Sequence, residues 1–484
     1  MLRALSFLCA LAPSVALAQA VPEAPRPTFD LAAAIAEGPP MTAERAAARA
    51  LAASPSMEEA RALSRAAEAS VARARAAMLP RLELSATYQH IDGFPDGEIA
   101  IGGDPAALEA ARMLAERVSD PAARTLWLGS LEQQGRGASI EIPRDRFGLS
   151  ARLTWPVTDL FFAMMPALEA AEQSARARAL SLEASQRGVV RSAREAFYQL
   201  ARARGGLAVA QEAARQADAL RAQIEAAVRA GLLTEADRLA ADARVAGAER
   251  AVANAEMGVA VADAALRAML DAEDGPAHGV AEPLFVDDPS PPRPAAALAS
   301  EAVARRPELE ALRAQIRSRG AARAASAASG YPHLSVYAGA DYANPNRYQI
   351  PPRAEFTPSW EVGAALVWSP NDTLSAAHQG DALSAEIAAL EAQEAQLARM
   401  VRLEVRQARA RWMAARASVD AARTEREAAE AAYESRFAQL RAGHATSADL
   451  FAAEGQLNGA RLAELDAAIQ LHLARVQLEH ASGE

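Results

Sequence analysis

Arg229–Asp237 reads RAGLLTEAD and Arg441–Asp449 reads RAGHATSAD, with Arg, Ala, Gly, Thr, Ala and Asp at matching positions in both. The chemistry this pattern offers is that of helix ends. Glycine suits the left-handed position just past a helix C-terminus. A threonine three residues later suits the next N-cap, and an Asp three residues beyond it the reciprocal place in a capping box. The box prefers Glu or Gln, so Asp237 and Asp449 match it in part. Gly231, Thr234, Gly443 and Thr446 thus mark the tips of two helical hairpins. Nothing comparable points to catalysis. There is no G-x-S-x-G, no phosphate-binding glycine loop and no H-E-x-x-H. His90, His278, His333, His378, His444, His472 and His480 are scattered; His472 and His480 could share a helix face but have no further ligand. Carboxylates abound on stretches of Ala, Arg and Glu, where they are partners of Arg. No catalytic residue, metal site or cofactor is expected, and an enzyme is the least expected class.

The elements that carry these tips follow from composition. The 484 residues are 51% apolar but only 5% aromatic, and all 51 basic residues are Arg. A net charge of −10 without a long basic run gives no nucleic-acid footprint. Residues 1–20, MLRALSFLCALAPSVALAQA, join Arg3, an apolar stretch from Leu5 to Leu11 and an Ala16-Leu17-Ala18 cleavage signature, as in a secretory signal peptide. The sole cysteine, Cys9, lies inside it, so the mature chain is expected to carry no thiol, disulfide or thiolate metal site. No later apolar run reaches the about 20 residues of a transmembrane helix.

Four segments alternate instead. Leu82, Leu84, Ala86 and Tyr88 oppose Glu83, Ser85, Thr87 and Gln89 in 82–90; Phe147, Leu149, Ala151, Leu153 and Trp155 oppose Gly148, Ser150, Arg152 and Thr154 in 147–155. Residues 334–342 and 360–368 repeat the pattern, the last with the weakest inner face. Period 2 means strands with one apolar and one polar face. A soluble antiparallel sheet would alternate likewise. The segment length matches the about 9–11 residues that cross lipid, and Tyr88, Phe147, Trp155, Tyr342, Trp360 and Trp368 sit where an interfacial girdle would lie. The signal peptide tips the balance to a membrane barrel. Four strands cannot close a barrel, so other copies of the chain must supply the rest.

Proline is absent between Pro166 and Pro276 and after Pro370, which permits very long helices. Val189, Ala193, Ala196, Leu200, Ala203, Leu207, Ala210, Ala214, Ala217, Ile224 and Val228 form a heptad seam, as do Val401, Val405, Ala408, Trp412, Ala415, Val419 and Ala422. Ser54–Leu84 aligns without gaps on Arg306–Val336, so the chain is a duplicated half of helix, strand, strand, long helix and returning helix. The expected units are a signal peptide at 1–20 and a first repeat at 21–273. That repeat holds strands 82–90 and 147–155, an insertion at 91–146 and a hairpin at 166–273 with its tip near 231. A linker at 274–306 precedes the second repeat at 307–484, with strands 334–342 and 360–368 and a hairpin at 371–482 whose tip is near 443. Within the insertion, Asp104-Pro105 and Asp120-Pro121 have the form of helix starts. The insertion reads as a surface loop, a lid or a receptor site.

Taken together, the signal peptide, the strand pairs, Arg306-Pro307-Glu308-Leu309, Leu79-Pro80 and Tyr331-Pro332 before strands, and the two RAG tips resemble the TolC-type outer-membrane efflux protein (outer membrane factor) family. The resemblance covers nearly all the mature chain except 91–146. It implies a mainly α fold with a transmembrane β part: a homotrimer closing one 12-stranded β-barrel, four strands per chain, continued by a periplasmic α-helical coiled-coil barrel. It further implies an outer-membrane channel of a tripartite efflux or type I secretion system, working passively with a periplasmic membrane-fusion adaptor and an inner-membrane transporter. Asp237 and Asp449, which spacing alone reads as caps, would also charge the periplasmic mouth, and Gly231, Thr234, Gly443 and Thr446 would meet the adaptor. Ala445 and Leu440 stand where the family can carry a gate arginine and a gate tyrosine, so the resemblance does not carry over a polar lock on the closed state. The rival expectations are a soluble periplasmic coiled-coil scaffold or adaptor, and a surface adhesin.

Overall fold

Prolines open six of the described helices and set the rhythm of the chain. Pro at the first turn gives up an N–H that has no partner there anyway. In the computed structural model, residues 31–93, 98–101, 104–135, 138–141, 143–231, 233–272, 275–285, 292–350, 352–442 and 444–483 are described. The signal-peptide reading of 1–20 and Gly443 lie outside them. The first pass runs α1 (Pro55–Ala77), β1 (Arg81–His90), β2 (Asp145–Pro156), α2 (Met165–Arg229) and α3 (Glu235–Leu270). The second runs α4 (Pro307–Ala327), β3 (His333–Asn344), β4 (Thr357–Val367), α5 (Pro370–Arg441) and α6 (Ser447–Ser482). At 65 and 72 residues, α2 and α5 are about 98 and 108 Å long.

The four strands form one antiparallel sheet in the order β1-β2-β3-β4. Register puts like on like: Leu82 faces Leu153, Leu84 faces Ala151 and Tyr88 faces Phe147, while Leu153 faces Ala338 and Ala338 faces Val362. Each apolar set therefore falls on the same side of the sheet, as the period-2 pattern requires. The insertion between β1 and β2 is an ordered unit rather than an irregular loop. A ribbon of Glu98–Ile101 with Ala138–Glu141 leads to helices Pro105–Glu116 and Pro121–Gly135, capped by Asp104 and Asp120, each 3.0 Å from a backbone N–H.

Packing follows the second predicted seam closely: Val401, Val405, Ala408, Trp412, Ala415 and Ala422 are all buried. The first seam drifts. Between Leu200 and Ala217 the buried positions are Ala201, Gly205, Ala208, Val209 and Glu212, while Ala203, Leu207, Ala210 and Ala214 are half-buried; the seam positions Ala217 and Ile224 are buried again. The cause is that α2 packs against α1, α3, α4 and α6 at different levels, so no single stripe serves it. The largest core lies at the waist of the helices, where Phe197 and Leu200 of α2, Leu266 of α3, and Leu465 and Ile469 of α6 meet.

Both ends of the expected linker 274–306 are tied down. Gly279–Val280 pairs in parallel with Pro40–Met41, and the backbone N–H and Nδ1 of His278 lie 2.9 and 2.8 Å from buried Asp263. Further on, Ala295–Arg305 is a helix that buries Leu298, Ala299 and Ala302.

At the waist α2 and α6 touch backbone to side chain. A Cβ on Gly205 would stand 2.4 Å from Cδ2 of Leu465, which is 1% exposed. The neighbouring Gly206 has open space. Gly205→Val is therefore expected to cost about 1–3 kcal/mol by overpacking, whereas Gly206→Ala should be neutral or stabilising by about 0.5–1 kcal/mol. Thermal unfolding of the two variants checks this; equal midpoints would contradict it.

Candidate functional site

The chain presents two ends that can act: the hairpin tips and the sheet. At the first tip α2 runs out at Arg229, and Gly231 adopts φ +75°, donating its N–H to the Val228 carbonyl at 2.9 Å. A side chain there would meet nothing else in the chain. Thr234 then caps α3. Its hydroxyl oxygen accepts from the Asp237 N–H at 3.3 Å, and Asp237 Oδ2 accepts from the Thr234 N–H at 3.0 Å and its hydroxyl at 2.6 Å. The second tip repeats this: Thr446 accepts from the Asp449 N–H at 3.2 Å, while Asp449 Oδ2 accepts at 3.0 and 2.7 Å. Both capping boxes are complete. The shorter Asp side chain reaches because the threonine hydroxyl meets it halfway.

The two tips are joined by a residue that spacing did not single out. Ser447 donates its hydroxyl to Asp237 Oδ1 at 2.5 Å. Asp237 is thereby held below the usual carboxylate range, first by Ser447 and then by the Thr234 side chain and backbone. Asp449 is lowered too, first by the Thr446 backbone and then its hydroxyl. Both carboxylates cap helices and remain charged at neutral pH.

Above the tips lies an apolar cluster. Leu220, Ile224, Ala241 and Leu450 are buried, with Val228, Leu233, Tyr433, Phe437, Leu440 and Phe451 packed on them. Leu440 is thus a packing residue that offers no hydroxyl beside the tips. Sequence reasoning also passed over Glu454, only 1% exposed, whose nearest cation is Arg244 at 3.5 Å. Burial pushes its carboxyl above the ordinary range. Its spacing on an Ala-rich helix is no different from that of a solvated Glu, so no signal marked it.

At the other end the sheet exposes its apolar side: Leu82 is 62% exposed, Leu84 72% and Trp360 80%. Aromatic rings gather toward the loop end, with Tyr88 and Phe147 centroids 4.9 Å apart and Tyr342 and Phe356 5.2 Å apart. Toward the helices lie Trp155, Trp368, and the Phe162–Tyr331 pair at 5.7 Å. The line of loop-end aromatics is diagonal. Tyr88 faces Phe147; Phe147 faces Asn344, two residues past Tyr342; Tyr342 faces Pro358, two residues short of Trp360. Among the described residues no helix is long and apolar enough to cross a membrane, and no cluster of three or more His, Cys, Asp or Glu is placed to hold a metal.

The family model described as outer membrane efflux protein matches residues 129–272 and 298–484. Among solved structures, the outer-membrane channel OprN is 19% identical over 91% of this chain and 89% of that one, with a TM-score of 0.68. The Campylobacter jejuni CmeC outer membrane channel is 14% identical over 91% and 85%, with a TM-score of 0.71. The open state of the Neisseria gonorrhoeae MtrE outer membrane channel is 19% identical over 91% and 88%, with a TM-score of 0.65. These structural likenesses establish the fold. No curated protein sequence matches the chain.

Because Asp237 and Asp449 have lowered pKa values, the folded tips bind protons less readily than the unfolded chain. Their contribution to tip stability is full above about pH 4, the ordinary Asp value, and is lost as pH falls through the lower folded values. Protection against hydrogen exchange at the first turns of α3 and α6, relative to unstructured amides at the same pH, should fall as the pH drops below about 4, and Asp237→Asn with Asp449→Asn should abolish that step. Thr234→Ala or Thr446→Ala should loosen its own turn at every pH, by about 0.5–2 kcal/mol.

Proposed function

The chain belongs to the outer membrane efflux protein family, and on that premise we propose that it is the outer-membrane channel of a tripartite efflux or type I secretion system. The observation that carries this reading is an open four-stranded sheet with one exposed apolar side. Unpaired edge N–H and C=O groups in hydrocarbon cost several kcal/mol each. β1 of one copy therefore pairs with β4 of the next, and three copies close twelve strands into a barrel. The diagonal aromatic line supports strands lying oblique to a membrane. Four residues at ~3.3 Å over three spacings of ~4.8 Å give a tilt of about 43°, within the about 35–45° of outer-membrane strands. Tyr88, Phe147, Tyr342 and Trp360 then mark one interface, and Trp155 and Trp368 the other.

The helices descend about 100 Å from the barrel into the periplasm, placing the tips at the inner mouth. Three copies of Asp237 and Asp449 make that mouth negative, which favours cations and repels anions. A periplasmic membrane-fusion adaptor meets Gly231, Thr234, Gly443 and Thr446 and links the conduit to an inner-membrane transporter. The channel conducts passively; the transporter supplies the energy.

Membrane fractionation and sizing in detergent test the reading. A trimer that resists carbonate extraction is expected; a water-soluble monomer would mean a periplasmic scaffold instead. Leu84→Arg, on the lipid side, should cost about 2–4 kcal/mol per copy and deplete assembled trimer, while Ser85→Arg on the polar side should assemble. Replacing Gly231 and Gly443 together by Leu should abolish efflux and leave trimers in the membrane; normal drug resistance in that variant would remove the tips from adaptor contact.

A further inference from the structure

One set of contacts on the polar side of the sheet is explained by neither the tips nor the aromatic line. The connection between β3 and β4 does not simply turn; it folds back over the sheet. Glu361 of β4 accepts from three donors: Arg152 Nη2 of β2 at 2.8 Å, Arg347 Nη2 of the connection at 3.1 Å, and the Tyr348 hydroxyl at 2.7 Å. Arg347 also donates to Asp341 of β3 at 3.1 Å, and its guanidinium lies 4.8 Å from the Tyr348 ring centroid. At the base Asn346, 4% exposed, donates to the Thr357 carbonyl at 2.9 Å and to Ser359 Oγ at 3.1 Å, and accepts from the Tyr348 N–H at 3.0 Å.

Residues 346–348 are thus fastened to β2, β3 and β4 through one carboxylate and its neighbours. A lone surface ion pair contributes only about 0–1 kcal/mol. Here a single carboxylate gathers two guanidiniums and a phenol, and charge-assisted bonds of this kind are about twice as strong as neutral ones. The Glu361 side chain is only 24% exposed although it stands on the open side of a single sheet. Two cations and two carboxylates cancel, so the cluster adds no net charge. It fixes a position.

We infer that this connection is a strap across the exit of the conduit. Glu361 holds Arg347 and Tyr348 over the lumen, and three copies narrow the outer mouth and set the size limit for solutes there. The inference rests on the barrel reading, which assigns the polar side of the sheet to the lumen. It makes Glu361 a positioning residue and Arg347 and Tyr348 the residues that fill space.

Single-channel recordings of the purified trimer in planar bilayers, with polyethylene glycols of graded size as probes, test it. Glu361→Ala, and separately Arg347→Ala with Tyr348→Ala in the connection alone, should each raise conductance about 1.5- to 2-fold and admit larger polymers. Glu83→Gln, on the polar side of β1 with its nearest cation 4.0 Å away, should match the wild type in both readings. An unchanged polymer cut-off in the two strap variants overturns the inference, as does widening by Glu361→Ala alone. A wild-type trimer that conducts nothing would overturn the channel reading, and the strap with it.

Discussion

Backbone hydrogen bonding at the sheet edges governs this molecule. β1 and β4 each have one partner, and their outer N–H and C=O groups need another strand. In water that need is small; in hydrocarbon it exceeds any other single term. The apolar side of the sheet, from Leu82 through Trp360, rules out leaving the sheet in water as a lone layer without loss. These two facts together favour a closed assembly over an open one, which is the ground of the proposal that copies of the chain pool their strands.

The helical part solves a different problem with plain material. Alanine at half of the seam positions lets helices approach closely, and Gly205 against Leu465 is the limit of that approach. Such helices gain little from any one contact and accumulate stability along about 100 Å. Their free ends are secured locally, by a threonine and an aspartate at each turn and by Ser447 between the two. Asp237 shows how one side chain holds three relations at once: it closes its own helix, tethers the neighbouring hairpin and keeps a full negative charge.

Much of this was legible in the sequence. Period-2 alternation placed four strands within two or three residues of β1 to β4, because alternation is a geometric consequence of the pleat. The RAG repeats located both tips because glycine and threonine have few equivalents at helix ends. The α5 seam was legible at Val401, Val405, Ala408, Trp412, Ala415 and Ala422, with Val419 only half-buried. The α2 seam was not, because its neighbours change along its length and no fixed period can describe a rotating contact. Ser447, Glu454 and Glu361 escaped for a common reason. Each depends on what a distant segment brings to it, and an isolated Ser or Glu on a helix or strand has no spacing signature. The fastening of 274–306 was hidden likewise, its Pro and Ala content reading as a plain linker.

The waist core has a mechanical corollary. Leu465 stands 18 residues from Ser447 along α6, a lever arm of about 27 Å. With the amino-terminal segment and the 279–280 strand knotted around that fulcrum, a pivot of only about 10° there sweeps a tip through roughly 5 Å, more than the width of a water molecule. A modest rotation near the middle of the chain is thereby magnified into a much larger displacement at its far end.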